Sequence, residues 1–196
     1  VSPQPGTARH VVGMFLPNAL LKALAKVRPE ASMAEGSGAV WTMQVNGHHD
    51  DGSPFITAMF TYAGGVGARA TKPGLSACSF PTGVSAVPIE VVEASAPIRF
   101  NEKSLRPGSG GAGAQTGGLG QTIEFTVATD KAWQLNAVTS RMADPPLGIF
   151  GGSAGEAGSF KVNGEAVKTQ SRISLSGEDV VRLELPGGGG YGEPTS

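Results

Sequence analysis

The sequence of 196 residues has one cysteine, no excess of either charge and no long apolar run. A single cysteine, Cys78, excludes a disulfide framework within the chain, and we therefore predict a cytoplasmic location. A membrane span needs about 20 apolar residues, so we predict no membrane partner. The net charge is −1. That balance disfavours nucleic acid as a partner, because phosphate binding requires a basic surface.

Glycine is abundant, with 30 residues, and it concentrates in two runs at positions 109–121 and 186–194. Glycine loses more backbone entropy on folding than any other residue. A folded domain therefore carries such runs only where the main chain needs a positive φ or the very close approach of another group. We interpret both runs as parts of the architecture that something else packs against.

The apolar pattern predicts an α+β fold. Predominantly antiparallel β-structure, as a sandwich or barrel-like sheet, is expected in the C-terminal half, and one or two short helices in the N-terminal half. Residues 1–8 are interpreted as a linker. An α+β segment with a helix and a β-hairpin covers residues 9–106, and a glycine-rich, mostly β segment covers residues 107–196. The two segments are compatible with one continuous domain. The chain begins with Val1, and we expect it to be a fragment of a longer polypeptide.

Individual elements follow from local patterns. A helix is predicted over residues 17–27, where Leu16, Leu20, Leu24 and Val27 form one apolar stripe that we expect to pack on a sheet. Asn163-Gly164 lies between two short apolar runs and predicts a tight hairpin. The other predicted elements are strands at 39–45, 55–62, 98–105, 122–128, 132–139 and 180–185, and a short helix at 88–95.

Two arginines are candidates for binding an anionic group of a substrate or a partner. Arg69 follows a glycine-rich segment, and Arg106 precedes the first glycine run. A guanidinium beside exposed backbone N–H groups can receive a carboxylate. The alternative is an arginine that rigidifies a turn. The neighbouring candidates for substrate or interface binding are Ser109, Gly110, Gly111, Gly117, Gly118 and Gly120. The sequence identifies no catalytic residue.

One cluster has metal-ligand residue types. His48, His49 and Asp50 combine imidazole with carboxylate, as transition metals prefer. Gly47 and Gly52 flank the cluster and are typical of an exposed hairpin tip. We therefore expect a solvated loop and no metal site in this chain, with a metal at these three residues as the weaker alternative. A Gly-Lys dipeptide is absent, which excludes a P-loop for nucleotide phosphates.

Several motifs together resemble those of the hydantoinase B/oxoprolinase family. They are Pro88-Ile-Glu-Val-Val-Glu93, Leu105-Arg-Pro-Gly-Ser-Gly-Gly-Ala-Gly113, Gly117-Gly-Leu-Gly120, Asp144-Pro-Pro-Leu-Gly148 and Pro186-Gly-Gly-Gly-Gly-Tyr-Gly-Glu-Pro194. Tyr62-Ala-Gly-Gly-Val-Gly-Ala-Arg69 is similar to a further family segment. The likeness corresponds to the C-terminal portion of a hydantoinase B-type subunit and covers nearly the whole chain from about Ala8.

The resemblance implies ATP-dependent hydrolysis of a cyclic amide, such as a hydantoin, 5-oxoproline or a lactam. It implies a hetero-oligomer containing a hydantoinase A-type ATP-binding subunit and the N-terminal part of the same subunit. ATP and a divalent metal (Zn, Mn or Mg) are expected in that complete complex but not in this chain, which alone would be inactive. The alternatives are a subunit of an ATP-dependent ketone carboxylase, of the acetone or acetophenone type, and a non-catalytic assembly module.

The chain departs from the family pattern at two places. Thr116 stands where a basic residue often precedes the second Gly-Gly pair, and Thr139-Ser-Arg141 stands where Ser-Asp-Arg is common. Both changes remove charge from positions that could orient a substrate or a partner.

Overall fold

The computed structural model describes residues 9–167 and 172–194, so the linker predicted at residues 1–8 lies outside the described residues. Within them, helix α1 (Arg9–Leu24) leads through a short 3₁₀ turn at Pro29–Ala31 to an antiparallel β-structure. The further elements are β1 (Trp41–His48), β2 (Pro54–Tyr62), α2 (Ile89–Ser95), β3 (Ile98–Leu105), β4 (Gln121–Val127), β5 (Trp133–Val138), β6 (Ser159–Val162), β7 (Glu165–Ala166), β8 (Ile173–Leu175) and β9 (Val181–Glu184).

The strands form two antiparallel sheets, in the orders β2-β1-β5-β8 and β3-β4-β9-β6-β7. The first sheet pairs β1 from the N-terminal half with β5 from the C-terminal half, with Val45 opposite Leu135. The second sheet places β4 between β3 and β9. This architecture confirms the predicted α+β class with predominantly antiparallel β-structure.

The hydrophobic core lies between the two sheets. In β1, Trp41, Met43 and Val45 are buried and alternate with half-buried polar residues, as expected of a strand with one face on a core. Phe125 of β4 contacts Trp133 of β5 across the core, with ring centroids 6.4 Å apart. One continuous buried cluster contains side chains from both sheets, so each sheet supplies one wall of the same core.

Most of the predicted strands are confirmed to within a few residues, and β3 and the hairpin turn are located best. Asn163 and Gly164 both have positive φ, at 52° and 82°, and they connect β6 to β7. Positive φ at both central positions is what a two-residue hairpin requires, and Asn-Gly supplies it. The short strand β8 and the 3₁₀ turn at Pro29–Ala31 were not predicted.

The prediction for α1 was wrong in its start and in its buried face. The helix begins at Arg9, and Pro17 lies inside it. Proline is favoured in the first turn of a helix, which agreed with the predicted start at residue 17 but not with the observed start. The buried face carries Met14, which packs with Ala39, Val40 and Ala63. The predicted stripe of Leu16, Leu20, Leu24 and Val27 is instead exposed.

The glycine runs form a compact bundle of main-chain segments, here called the glycine bundle. It consists of residues 33–38, 63–69, 73–77, 109–120, 145–157 and 185–192. Among the described residues, these segments belong to no helix or sheet strand, yet their backbone groups are hydrogen-bonded. Buried peptide groups must be paired, and here the partners are peptide groups of neighbouring segments.

A relay of four backbone hydrogen bonds links three segments of the glycine bundle. The N–H of Gly118 donates to Val66 O at 2.9 Å, and the N–H of Gly188 donates to Gly118 O at 2.8 Å. The N–H of Gly111 then donates to Gly188 O at 2.8 Å, and the N–H of Gly117 donates to Gly111 O at 2.9 Å. Main chain thus packs directly on main chain, with no side chain between the segments.

The close approach explains why glycine is needed in the bundle. A Cβ atom added at Gly117 would lie 1.9 Å from Gly188 O, and one added at Gly118 would lie 2.1 Å from Leu75 O. Neither glycine has a positive φ, whereas Gly108, just before the first run, and Gly192, near the end of the second, do. Of the two reasons considered for the glycine runs, close approach accounts for the interior positions.

Gly117→Ala is expected to destabilise the protein by about 3 kcal/mol, because its Cβ must displace a backbone carbonyl rather than a flexible side chain. The free energy of unfolding by urea measures the effect. Gly13→Ala is the matched control. It lies in α1 with no atom within 4 Å of the added Cβ, and it should stabilise by about 0.5–1 kcal/mol. Equal effects at the two glycines would contradict the close packing.

Candidate functional site

Arg106 and Ser109 hold the start of the first glycine run in place. The Arg106 Nη1 donates to Ala157 O at 2.7 Å and to Leu185 O at 3.3 Å. The fully buried Ser109 Oγ donates to Arg106 O at 2.7 Å and accepts from the N–H of Gly120 at 2.9 Å. Both side chains are therefore hydrogen-bonded to backbone groups. For Arg106 this is the alternative role considered above, an arginine that rigidifies a turn.

Arg69 has a different environment at the margin of the glycine bundle. Its backbone forms a tight turn in which the Arg69 N–H donates to Lys72 O at 2.9 Å. Its Nη2 donates to Pro73 O at 3.1 Å, whereas its buried Nε has no hydrogen-bond partner among the described residues. A buried guanidinium nitrogen normally finds an acceptor. Arg69 is therefore the better of the two arginines for receiving an anionic group.

The candidate glycines lie inside the bundle. Gly111, Gly117, Gly118 and Gly120 are buried, and Gly110 is half-buried with Gly117 O only 2.2 Å from the position of an added Cβ. The N–H groups of Gly111, Gly117 and Gly118 all donate to carbonyl oxygens of the bundle. These groups are committed to packing within the chain, so they build the wall beside Arg69 rather than offer free donors.

Two short patterns match nucleotide or hydrolase motifs by letter only. Residues 108–113 match G-x-G-x-x-G, but no helix follows them, and a dinucleotide fingerprint needs a helix N-terminus. Residues 151–155 match G-x-S-x-G, a match that sequence reasoning missed. They connect no strand to a helix, as a nucleophile elbow would. Ser153 Oγ accepts from the N–H of Ala112 at 2.7 Å.

His48 ends β1, and His49 and Asp50 lie in the loop that follows it, where they have different contacts. The Asp50 carboxylate accepts hydrogen bonds from the Thr129 hydroxyl and from the Asp130 N–H, at 3.2 and 2.9 Å. The His49 ring packs edge-on against Phe55 at 5.3 Å. Across residues 9–167 and 172–194, no group of three or more His, Cys, Asp or Glu side chains is arranged to hold a metal ion.

A charged cluster that sequence reasoning missed joins α1 to the glycine bundle. Glu35 accepts from Lys22 Nζ at 2.8 Å, forms an ion pair with Arg141 at 3.1 Å, and accepts from the N–H of Leu147 at 3.2 Å. The Arg141 guanidinium lies over the Phe15 ring, 5.1 Å from its centroid. Glu35 and Arg141 are more than a hundred residues apart in the sequence, so no local signal indicated their pairing.

Partner charges set the protonation of Glu35. Burial of the carboxylate opposes its ionisation, but the hydrogen bonds from Lys22 and Leu147 and the charge of Arg141 outweigh burial and lower its pKa. The side chain of Glu35 is only 12% exposed, so solvent screens these interactions weakly. Glu35 is therefore held as a carboxylate that links α1, Arg141 and the segment at Leu147.

A second group of charges lies on the five-stranded sheet. Arg182 on β9 donates to Glu102 and Glu124, at 2.9 Å each, and Lys161 pairs with Glu184 at 3.0 Å. The residues stand opposite one another on adjacent strands, with Glu102 paired to Glu124 and Glu124 to Arg182. Cross-strand pairs of this type stabilise a sheet face, and we assign this cluster to the sheet rather than to a site.

Comparison with known proteins identifies the family. The profile of the family described as hydantoinase B/oxoprolinase matches residues 1–194. The chain belongs to the hydantoinase B/oxoprolinase family. A protein of Pseudomonas sp. strain NS671, named as the B-type component of a D-/L-hydantoinase, is 29% identical over 203 residues, covering 99% of this chain and 33% of that protein. The resemblance inferred from the glycine motifs is confirmed.

Two solved structures share the fold. The ATP-dependent caprolactamase of Pseudomonas jessenii matches 88% of this chain and 32% of its own, at 24% identity and a TM-score of 0.76. A nucleotide-free acetone carboxylase matches 91% of this chain and 29% of its own, at 17% identity and a TM-score of 0.67. The chain thus spans about a third or less of the length of these proteins. No helix within residues 9–167 and 172–194 has the length and apolar character to cross a membrane.

Glu35→Gln is expected to lower the free energy of unfolding at pH 7 by about 1–3 kcal/mol, because the charge-assisted hydrogen bonds are lost. The lowered pKa means that the wild-type stabilisation is present above the ordinary glutamate value and is lost as pH falls through the folded-state pKa. The difference between the two proteins should therefore shrink at pH 3. Urea unfolding at both pH values measures it, and a difference that grows on acidification would contradict the assignment.

Proposed function

We propose that this chain is the C-terminal part of a hydantoinase B-type subunit that acts with an ATP-binding, hydantoinase A-type subunit to hydrolyse a cyclic amide, coupled to ATP hydrolysis. The observation that carries the proposal is the family match across residues 1–194, together with the relative named as a hydantoinase component. The caprolactamase with the same fold is also ATP-dependent by its name, and caprolactam is a cyclic amide.

Neither the sequence nor the described residues give a reason to place ATP or a divalent metal in this chain. No Gly-Lys dipeptide is present for nucleotide phosphates, and the described residues bring no three metal-ligand side chains together. We therefore assign ATP and metal binding to the hydantoinase A-type subunit and to the remainder of the hydantoinase B-type subunit. This chain alone is expected to be inactive.

This chain contributes a rigid surface, formed by the glycine bundle, with the Arg69 guanidinium at its edge. The glycine bundle is fixed by main-chain hydrogen bonds, so its surface cannot rearrange by rotation of side chains. Arg69 stands at the margin of that surface with one guanidinium nitrogen uncommitted among the described residues. Arginine is suited to a carboxylate or to a developing oxyanion because it donates from a planar fork.

The test of the function is substrate profiling of the complete complex. Release of the ring-opened product from hydantoin, 5-oxoproline or caprolactam, dependent on ATP and independent of bicarbonate, is the expected result. Carboxylation of acetone or acetophenone that requires bicarbonate would overturn the proposal in favour of a ketone carboxylase. Assembly of a stable complex without turnover of either substrate class would favour a structural module.

Arg69→Ala is expected to lower kcat/KM of the complete complex at least about tenfold, which corresponds to loss of a charge-assisted hydrogen bond. The melting temperature should change little, because the hydrogen bond that Arg69 Nη2 donates to Pro73 O is exposed and joins residues only four apart in sequence. Arg99→Ala on the exposed face of β3 is the matched control and should retain wild-type kcat/KM. Equal activity of both variants would remove Arg69 from the site.

A further inference from the structure

Helix α1 has an outward face that is apolar along its whole length, here called the outer α1 face. It is formed by Val12, Leu16, Leu20, Leu24 and, just after the helix, Val27. Leu16 and Leu20 are 60% and 61% exposed, and Val12 and Val27 are 74% and 76% exposed. The spacing of three or four residues places them on one side of the helix.

The opposite side of α1 is already packed within this chain. Met14 is buried against Ala39, Val40 and Ala63, and Val11 and Phe15 pack on the same cluster. A surface helix normally carries polar residues on the side away from its core, whereas a helix that is apolar all round is buried. Because both sides of α1 are apolar, we expect the helix to lie between two packed regions. One of them is the core of this chain, and the other lies outside it.

The size of the face limits what can cover it. A stable dimer buries roughly 800 Å² per partner, contributed by some 20–30 residues. Five side chains of one helix are far fewer, so the outer α1 face does not make a self-sufficient dimer with a second copy. The outer α1 face is therefore the right size for one part of a larger interface. The partner region would be attached to this chain through other contacts as well.

The similar proteins are long enough to supply such a region. The hydantoinase component from Pseudomonas aligns with 99% of this chain, yet the chain spans only 33% of that protein. The caprolactamase chain likewise extends over about three times the length matched here. Two thirds of a hydantoinase B-type subunit therefore lie outside this segment, which makes that region the natural occupant.

We propose that the outer α1 face docks onto an apolar surface in the part of the hydantoinase B-type subunit that this chain does not span. This inference rests on family membership and on the exposure of α1, and not on which reaction the complex performs. Burial of Leu16 and Leu20 in that interface supplies the driving force. Helix α1 then connects that part of the subunit to the glycine bundle through the Lys22–Glu35 contact.

Site-specific photo-crosslinking in the native assembly tests the docking. The photoreactive amino acid p-benzoylphenylalanine is placed at Leu20, and the assembly is isolated through a C-terminal tag on this chain. Mass spectrometry of the crosslinked peptides is expected to find apolar peptides from the rest of the hydantoinase B-type subunit. The same probe at Ile56, which is 68% exposed on β2, is the control and should give no such crosslink.

A disruptive variant provides a second, independent measurement. Leu16→Glu combined with Leu20→Glu should weaken association with that region at least about 100-fold, since two leucines would no longer be buried. Ile56→Glu should leave association unchanged. Because both leucines are exposed in this chain, the circular dichroism and melting temperature of the isolated double variant should match those of the wild type. Association, circular dichroism and melting temperature are all measured without an assay of enzymatic activity.

Other outcomes overturn the proposal. Crosslinks from Leu20 to α1 of another molecule would identify a second copy as the occupant. Binding of the chain to vesicles of phosphatidylglycerol and phosphatidylcholine, lost in the double variant, would identify a membrane surface. A double variant that assembles as tightly as the wild type, or equal crosslinking from Leu20 and Ile56, would show that the face is uncovered. A failed cyclic-amide assay would leave each of these results unchanged.

Discussion

The structure depends on the direct packing of main chain against main chain in the glycine bundle. Where Gly118, Gly188 and Gly111 meet, the peptide groups satisfy one another, and no side chain could be inserted without displacing a carbonyl. Hydrophobic burial stabilises the two sheets, but it contributes little at the contacts between glycines, which have no side chains to bury. The bundle is therefore stabilised by hydrogen bonds between segments that are distant in sequence, and its shape is fixed by how closely backbones can approach.

This constraint determines the surroundings of the functional candidates. Arg106 and Ser109 are consumed in holding the bundle, whereas Arg69 stands at its margin with a nitrogen uncommitted among the described residues. Glu35 fastens α1 to the bundle through Lys22 and Arg141. The hydantoinase component from Pseudomonas is about three times as long as this chain. In the assembly that we propose, the glycine bundle forms one wall of a site built largely by other parts of the subunit, and the outer α1 face holds it there.

The regular elements could be predicted from sequence because their signals are local. Alternation in β1 and the Asn163-Gly164 turn specify strands and a hairpin by side-chain period and φ alone. The outward stripe of α1 was misassigned, since an apolar side of a helix looks the same whether it meets this chain or another. The arrangement of the glycine bundle could not be predicted from the sequence, because glycines have no side chains whose polarity could follow a helix or strand period. The Glu35–Arg141 pair depends on tertiary structure, which no local pattern encodes.

Amide hydrogen exchange by NMR tests the central claim most directly. The N–H groups of Gly111, Gly117, Gly118 and Gly188 each donate to a carbonyl inside the bundle. Their exchange should be slowed to a degree comparable with the amides of β4, in the most protected class of the protein. Exchange of these four amides at the rates of an unstructured peptide, while β4 stays protected, would contradict the account that the glycine runs form a packed part of the fold.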